Sequence, residues 1–261
     1  MTQFHKHTTN ISYDFATLVG MGRVRNAYST IKFAAATAIG VTERDVWMYS
    51  TDLVYLNTPE LITVVSDSLE DNVVGTGAYT VCIKGLDVNW NLQEEIVTLT
   101  GITAASTTNS YRRILHAYID TSATIAGAAG NITCKASTSL TVQAYIAYQT
   151  NQTLMSHFTT PANMVGLIFG ATLGAPSGKS LHFHIKVKDA TNTNKPFLVE
   201  RAFALFETSL HVPMPIPRVI PPMHDYKFTA KASSSGTNCT VDYNLMLVDA
   251  SLINIPEATF I

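Results

Sequence analysis

From Gly75 the chain reads Gly75-Thr76-Gly77-Ala78-Tyr79-Thr80-Val81-Cys82-Ile83-Lys84-Gly85-Leu86-Asp87-Val88-Asn89-Trp90-Asn91, and it returns as Gln93-Glu94-Glu95-Ile96-Val97-Thr98-Leu99-Thr100-Gly101. Between Tyr79 and Lys84 the side chains alternate. Tyr79, Val81 and Ile83 fall on one face, and Thr80, Cys82 and Lys84 on the other. A period of two marks a half-buried strand. Gly85 to Asn89 is rich in residues that tolerate turn geometry, with Asp87 read as a turn residue. Glu95 to Thr100 is a second β-rich run, so the stretch predicts a β-hairpin with a loop longer than two residues. Gly101 closes it, and Thr107-Thr108-Asn109-Ser110 leads into a third strand over Tyr111 to Ile119.

Outward from the hairpin the pattern repeats. Val46 to Ser50, Leu61 to Ser66, Asn131 to Lys135, Leu140 to Tyr148, Thr153 to Thr159 and Met164 to Ala171 read as strands. Leu181 to Lys188 alternates cleanly, placing Leu181, Phe183, Ile185 and Val187 toward a core and the His and Lys residues outward. Phe197 to Glu207 returns from it. Tyr226 to Ala232 and Thr240 to Val248 read as a closing hairpin, with Val241, Tyr243, Leu245 and Leu247 on one face. Two stretches are expected to differ. Ile31 to Ile39 has the alanine content of a short helix, and the proline-dense run from His211 to Pro222 reads as an extended surface crossover of polyproline character. More than ten short strands without alternating long helices predict an all-β antiparallel sandwich or jelly roll, as one large unit or two sandwiches in tandem. The expected division is an N-terminal arm with short elements over 1–40, a sandwich with the central hairpin over 41–150, a second sandwich or half-sandwich over 151–250, and a tail over 251–261. Residues 1–20 are read as an extended arm with at most a short strand.

Composition narrows the function classes. The chain has 261 residues, 46% of them apolar and only 14% charged, against roughly one quarter charged in an ordinary globular domain. Thr, Ser and Asn fill the gap, as suits sheet surfaces and turns. A polar, uncharged surface suits packing against other protein, because interface cores are depleted in charge. The net charge of −2 and the absence of a basic stripe argue against a nucleic-acid partner. No apolar run reaches a membrane span, and the N-terminus lacks the apolar core of a signal peptide, so synthesis in a cytoplasm is expected. Cys82, Cys134 and Cys239 are far apart and odd in number, so each is read as a buried small hydrophobe. The Asn-x-Ser/Thr matches at Asn10, Asn131, Asn151 and Asn238 are read as by-products of Asn/Thr-rich loops.

Candidate chemistry is thin. Gly75-x-Gly77 lacks the third glycine and following helix of a dinucleotide site, and no Gly-x-Ser-x-Gly elbow is present. Glu94 and Glu95 are adjacent, so in a strand they point to opposite faces and cannot work as a paired acid and base. A glycan-cleaving site needs two carboxylates at a defined separation, which the sequence neither shows nor excludes. His182 and His184 share a face, with His211 or His224 as further ligands for a metal, but two ligands on a strand are not a site and surface histidines are the stronger reading. His5 and His7 repeat the same spacing. No catalytic residue, cofactor or metal is assigned.

The central hairpin does carry a family resemblance. A glycine-bounded strand, then Gly85-Leu86-Asp87-Val88-Asn89-Trp90-Asn91, a Glu-rich return ending Thr98-Leu99-Thr100-Gly101, and Thr107-Thr108-Asn109-Ser110-Tyr111 resemble virion structural proteins of tailed bacteriophages, notably marine podoviruses. Glu43-Arg44-Asp45-Val46-Trp47, Leu61 to Ser66, Asn151-Gln152-Thr153-Leu154-Met155 and Leu245 to Asp249 fit the same pattern. The first forty residues and the segment near 213–222 match little. The resemblance implies a non-enzymatic capsid decoration or cement protein on the capsid exterior, with the major capsid protein and its own copies, as a homotrimer, for partners. The alternative within that family is a head-fibre or tail-fibre adaptor, or a receptor-binding module that takes a glycan. Candidate partner-contacting residues are Phe4 and Phe15 in the arm, Phe260 and Ile261 in the tail, and Trp90 on the hairpin loop. Trp90 either stacks on a sugar or packs under its own turn.

Overall fold

The computed structural model of the chain describes residues 14–206 and 208–253. It is nearly all β, in several antiparallel sheets. After a short helix α1 (Phe15–Gly20) come β1 (Ala27–Ile39) and β2 (Arg44–Asp45). The next seven strands are β3 (Glu60–Ser66), β4 (Ala78–Leu86), β5 (Leu92–Thr98), β6 (Ala105–Tyr111), β7 (Arg113–Ser122), β8 (Ile132–Ala136) and β9 (Val142–Ile146). The chain then continues through β10 (Phe158–Thr159), β11 (Met164–Gly174), β12 (Leu181–Asp189), β13 (Leu198–Leu205), β14 (Ser209–Ile220), β15 (His224–Ala232) and β16 (Thr237–Asp249).

Two sandwiches are nested. One sheet runs β1-β16-β11-β14, and another runs β10-β15-β12-β13 with β2 also paired to β15. The first long strand lies beside the last, and sheet neighbours are distant in sequence, which is the strand order of a jelly roll. Ile168, Leu173, Tyr243 and Leu245 from the first sheet meet Phe183, Ile185, Tyr226 and Phe228 from the second in one core. Between β2 and β10 the chain builds the other sandwich, with sheets β6-β3-β8-β9 and β5-β4-β7 around Ile62, Val64, Val81, Ile83, Tyr111 and Ile132.

Local chemistry explains the central hairpin. Val81 and Ile83 enter the core, as their alternation requires, and β4 pairs with β5 from Thr80↔Thr98 to Leu86↔Leu92. Asp87 builds the turn, accepting from the backbone N–H groups of Asn89 and Asn91 at 2.8 Å each. Gly85 is required by close approach, since a Cβ there would lie 2.2 Å from the Arg113 carbonyl oxygen. In β12, Leu181, Phe183, Ile185 and Val187 are all buried while His182 faces solvent.

Several expectations are corrected. Residues 27–39 form a strand, not a short helix: β1 pairs with β16 from Ala27↔Val248 to Ala36↔Cys239, and the alanines are the small residues that let Ala34 and Ala36 pack in the core. Residues 15–20 are helical, because the Asp14 carboxylate caps the first turn by accepting from Thr17 N–H at 2.8 Å. Residues 105–111, read as a lead-in, are strand β6. Residues 46–50 form no strand beyond the bridge Trp47↔Met155, since the Trp47 indole N–H turns back to donate to the Thr51 carbonyl at 2.6 Å. Of the run 153–159 only β10 is a named strand. The proline-dense segment is β14, paired to β11 on the edge of its sheet. Pro213 stands opposite Gly170, the register then breaks, and Pro215 and Pro217 fall in the break before Arg218 resumes opposite Ile168. Proline is tolerated there because an edge strand and a bulge do not need its missing N–H. Finally, β15 and β16 lie in opposite sheets and form no hairpin, because each has inward-facing aromatics that fill the same core from opposite sides.

Candidate assembly surface

The two sandwiches are fastened through a buried polar seam. Arg113, the first residue of β7, reaches Asp225 on β15 through two parallel bonds, Nε to Oδ1 at 2.9 Å and Nη2 to Oδ2 at 3.1 Å. Its Nη1 donates to the carbonyls of Leu56 and Arg112, both at 2.8 Å. The Thr159 hydroxyl donates to the same aspartate at 2.6 Å. The guanidinium lies over the rings of Tyr55 and Trp90, 4.9 and 5.3 Å from their centroids. Beside it, Asp45 meets His157 Nε2 at 2.9 Å and Lys227 Nζ at 2.6 Å. Burial by itself pushes the Asp45 carboxyl up, but His157 and Lys227 outweigh it and hold the carboxyl below the usual range. The Arg113–Asp225 pair is the one that crosses between the sandwiches, and both its side chains are closed off from solvent.

The open surface is the outer face of the sheet β1-β16-β11-β14. Successive strand residues alternate faces, so the inward set Ala34, Tyr243 and Leu245 leaves Ala27, Ile31, Phe33, Met246 and Val248 facing out. Helix α1 covers one end, with Val19 buried against Ala27, Val165, Leu167, Met246 and Val248. Beyond the helix, Ile31 is 67% exposed and Phe33 44%, with Asn244 and Asp242 opposite them on β16. Between α1 and the strands runs a groove of about 650 Å³ lined by Ala16, Ser29, Thr30, Ile31, Phe169, Asn244, Leu245 and Met246.

The residues singled out from sequence fall in different places. Phe15 opens α1 beside this face and is 44% exposed. Trp90 sits in the hairpin turn with left-handed backbone (φ +63°), packs in the jelly-roll core cluster, and is 8% exposed beneath Arg112 and Arg113. Phe4, Phe260 and Ile261 lie outside the described residues, as do His5 and His7. His184 Nδ1 donates to the Glu43 carboxylate at 2.7 Å, an acid that also pairs with Lys186 at 2.9 Å. His211 lies on β14, in the opposite sheet from His182 and His184. Among the described residues no three His, Cys, Asp or Glu side chains gather as a metal site requires. The three cysteines are free and buried, and burial pushes the thiols of Cys134 and Cys239 up to about 12.

The sequence reading missed the outer face of β1 and the Arg113–Asp225 pair. The signal for the first was present: Ile31 and Phe33 alternate with Lys32 and Ala34. Nothing local announces the second, whose members lie 112 residues apart.

No family model matches the sequence, and no curated protein matches it. Among solved structures, the chain is weakly similar to particle proteins of infectious bursal disease virus. For the Gx strain the identity is 10% over 88% of this chain and 73% of that chain, with a TM-score of 0.27. For the T13 viral particle the figures are 11%, 85%, 70% and 0.26. For the T=1 particles they are 9%, 87%, 71% and 0.24.

Proposed function

We propose that this chain is a virion structural protein without enzymatic activity, held in a particle by contacts with other protein. The observation that carries the reading is the exposed pair Ile31 and Phe33 on the outer face of the edge strand β1. Two large apolar side chains exposed side by side on a sheet edge suit contact with other protein. The low charge content points the same way, and the family resemblance of the central hairpin supplies the particle as the setting. Within that setting the protein is a capsid decoration or cement protein on the capsid exterior. It binds the major capsid protein and its own copies, as a trimer, and many modest contacts repeated over a shell add through effective concentration. The alternative is a head-fibre or tail-fibre adaptor, or a receptor-binding module that takes a glycan.

The test is the double variant Ile31→Lys with Phe33→Lys. Both positions are solvent-exposed in the isolated chain, so unfolding midpoints should match the parent, while incorporation into particles should be lost. Normal incorporation of a folded double variant would remove this face from the account.

A further inference from the structure

We infer that the groove along the seam between the two sandwiches binds an acidic saccharide, a sugar bearing a carboxylate. Two adjoining hollows lie there, of about 560 and 370 Å³, and both are lined by Tyr28 and Leu92. Each falls within the range of small-molecule sites, roughly 300–1,000 Å³. Their chemistry differs from end to end. The larger is lined by Lys32, Lys84 and His116, with Glu94 at its edge and apolar Leu115 and Phe158 behind. The smaller is lined by Asn26, Asn91, Asn163 and Asp249. The half-exposed ring of Tyr28 stands between them.

This sequence of groups fits one ligand class. Sugar hydroxyls both donate and accept, and side-chain amides with a carboxylate offer both roles. That polar end is set in advance: Asn26 Nδ2 donates to Asp249 Oδ2 at 3.2 Å, and Asp249 Oδ1 accepts from Ser251 N–H at 2.9 Å. The apolar face of a sugar ring packs on an aromatic ring, which Tyr28 provides. At the cationic end Lys32 Nζ donates to the Leu115 carbonyl at 2.7 Å, its single hydrogen-bond acceptor among the described residues, which leaves donors for a carboxylate. Burial lowers its pKa to about 8, so a carboxylate beside it restores what desolvation costs. Glu94 is engaged by Lys84 at 3.2 Å, and His116 is lowered to about 4, by burial first and then by Lys32 and Lys84, which leaves it neutral near pH 7.

The inference needs only the groove and is independent of the virion reading, so the experiment uses the full chain in solution. Binding is measured by calorimetry and saturation-transfer NMR with 3′-sialyllactose, digalacturonic acid and lactose. At least one acidic sugar should bind about tenfold or more tighter than lactose, the scale of a charge-assisted hydrogen bond. Which acid binds distinguishes a sialic from a uronic acid. Lys32→Met should abolish the preference for acid, Asn163→Ala, on an exposed position, should weaken all sugars, and the preference should fade as pH rises past 8. Absence of binding by all three sugars, equal affinity for lactose, or an unchanged acid preference in a folded Lys32→Met protein would overturn it.

Discussion

Arg113 shows how a single side chain sets the geometry of this protein. Its fork meets Asp225 with both partners buried, an arrangement in which losing one partner strands the other charge away from water. Arg113→Met should therefore cost about 3–5 kcal/mol in a denaturant titration. Arg113→Met with Asp225→Leu should recover much of that loss, because the unpaired charge is gone; no recovery would show that the cost lies elsewhere. Two further side chains make stability depend on pH. The folded-state pKa of Lys32 is depressed to about 8 from an ordinary 10.5, so between those values the unfolded chain binds more protons, and stability should rise with pH. His116, depressed to about 4 from 6.5, has the same sign: its contribution is present above pH 6.5 and is lost on acidification toward 4. Lys32→Met should flatten the alkaline slope and His116→Gln the acid one, both read from unfolding midpoints across pH. These shifts leave no local trace in the chain, because they arise where β1 and β7 meet across 83 residues.

At the scale of elements the two edges of the sheet β1-β16-β11-β14 are unlike. The β14 edge carries Pro213, Pro215 and Pro217, which withhold N–H groups from any approaching strand. The β1 edge carries no proline. Replacing the three prolines with valine should open the β14 edge and produce self-association visible by light scattering, whereas the parent stays dispersed. Elements whose pattern is local were legible in the sequence. β12 announced itself by strict alternation, and the β4–β5 hairpin by its turn residues. β1 was not legible, because its alanines suit a helix by propensity and a crowded core by size, and only the partner β16 decides between them. The prolines of β14 likewise ruled out a central strand but left an edge strand open.

Across the whole molecule the decisive feature is the nesting of one sandwich inside another. All-β character and the jelly roll were foreshadowed by the count and spacing of strands. The pairing of the first long strand with the last was not, since a register that joins Ala27 to Val248 leaves no trace in any local window. The seam that binds the sandwiches shares buried charges and the core residues Leu86, Trp90 and Leu115, so the chain should melt in a single calorimetric transition. Arg113→Met should split that transition in two, and an unsplit melt would show that apolar contact alone couples the units. A body joined in this way, with Ile31 and Phe33 exposed on one sheet face, is suited to being held against other protein in a particle. The measurement that tests this most directly is a copy count of the chain in purified particles, by quantitative mass spectrometry against the major capsid protein. Many copies in a fixed ratio to that protein are expected; absence of the chain from particles would rule out a structural role there.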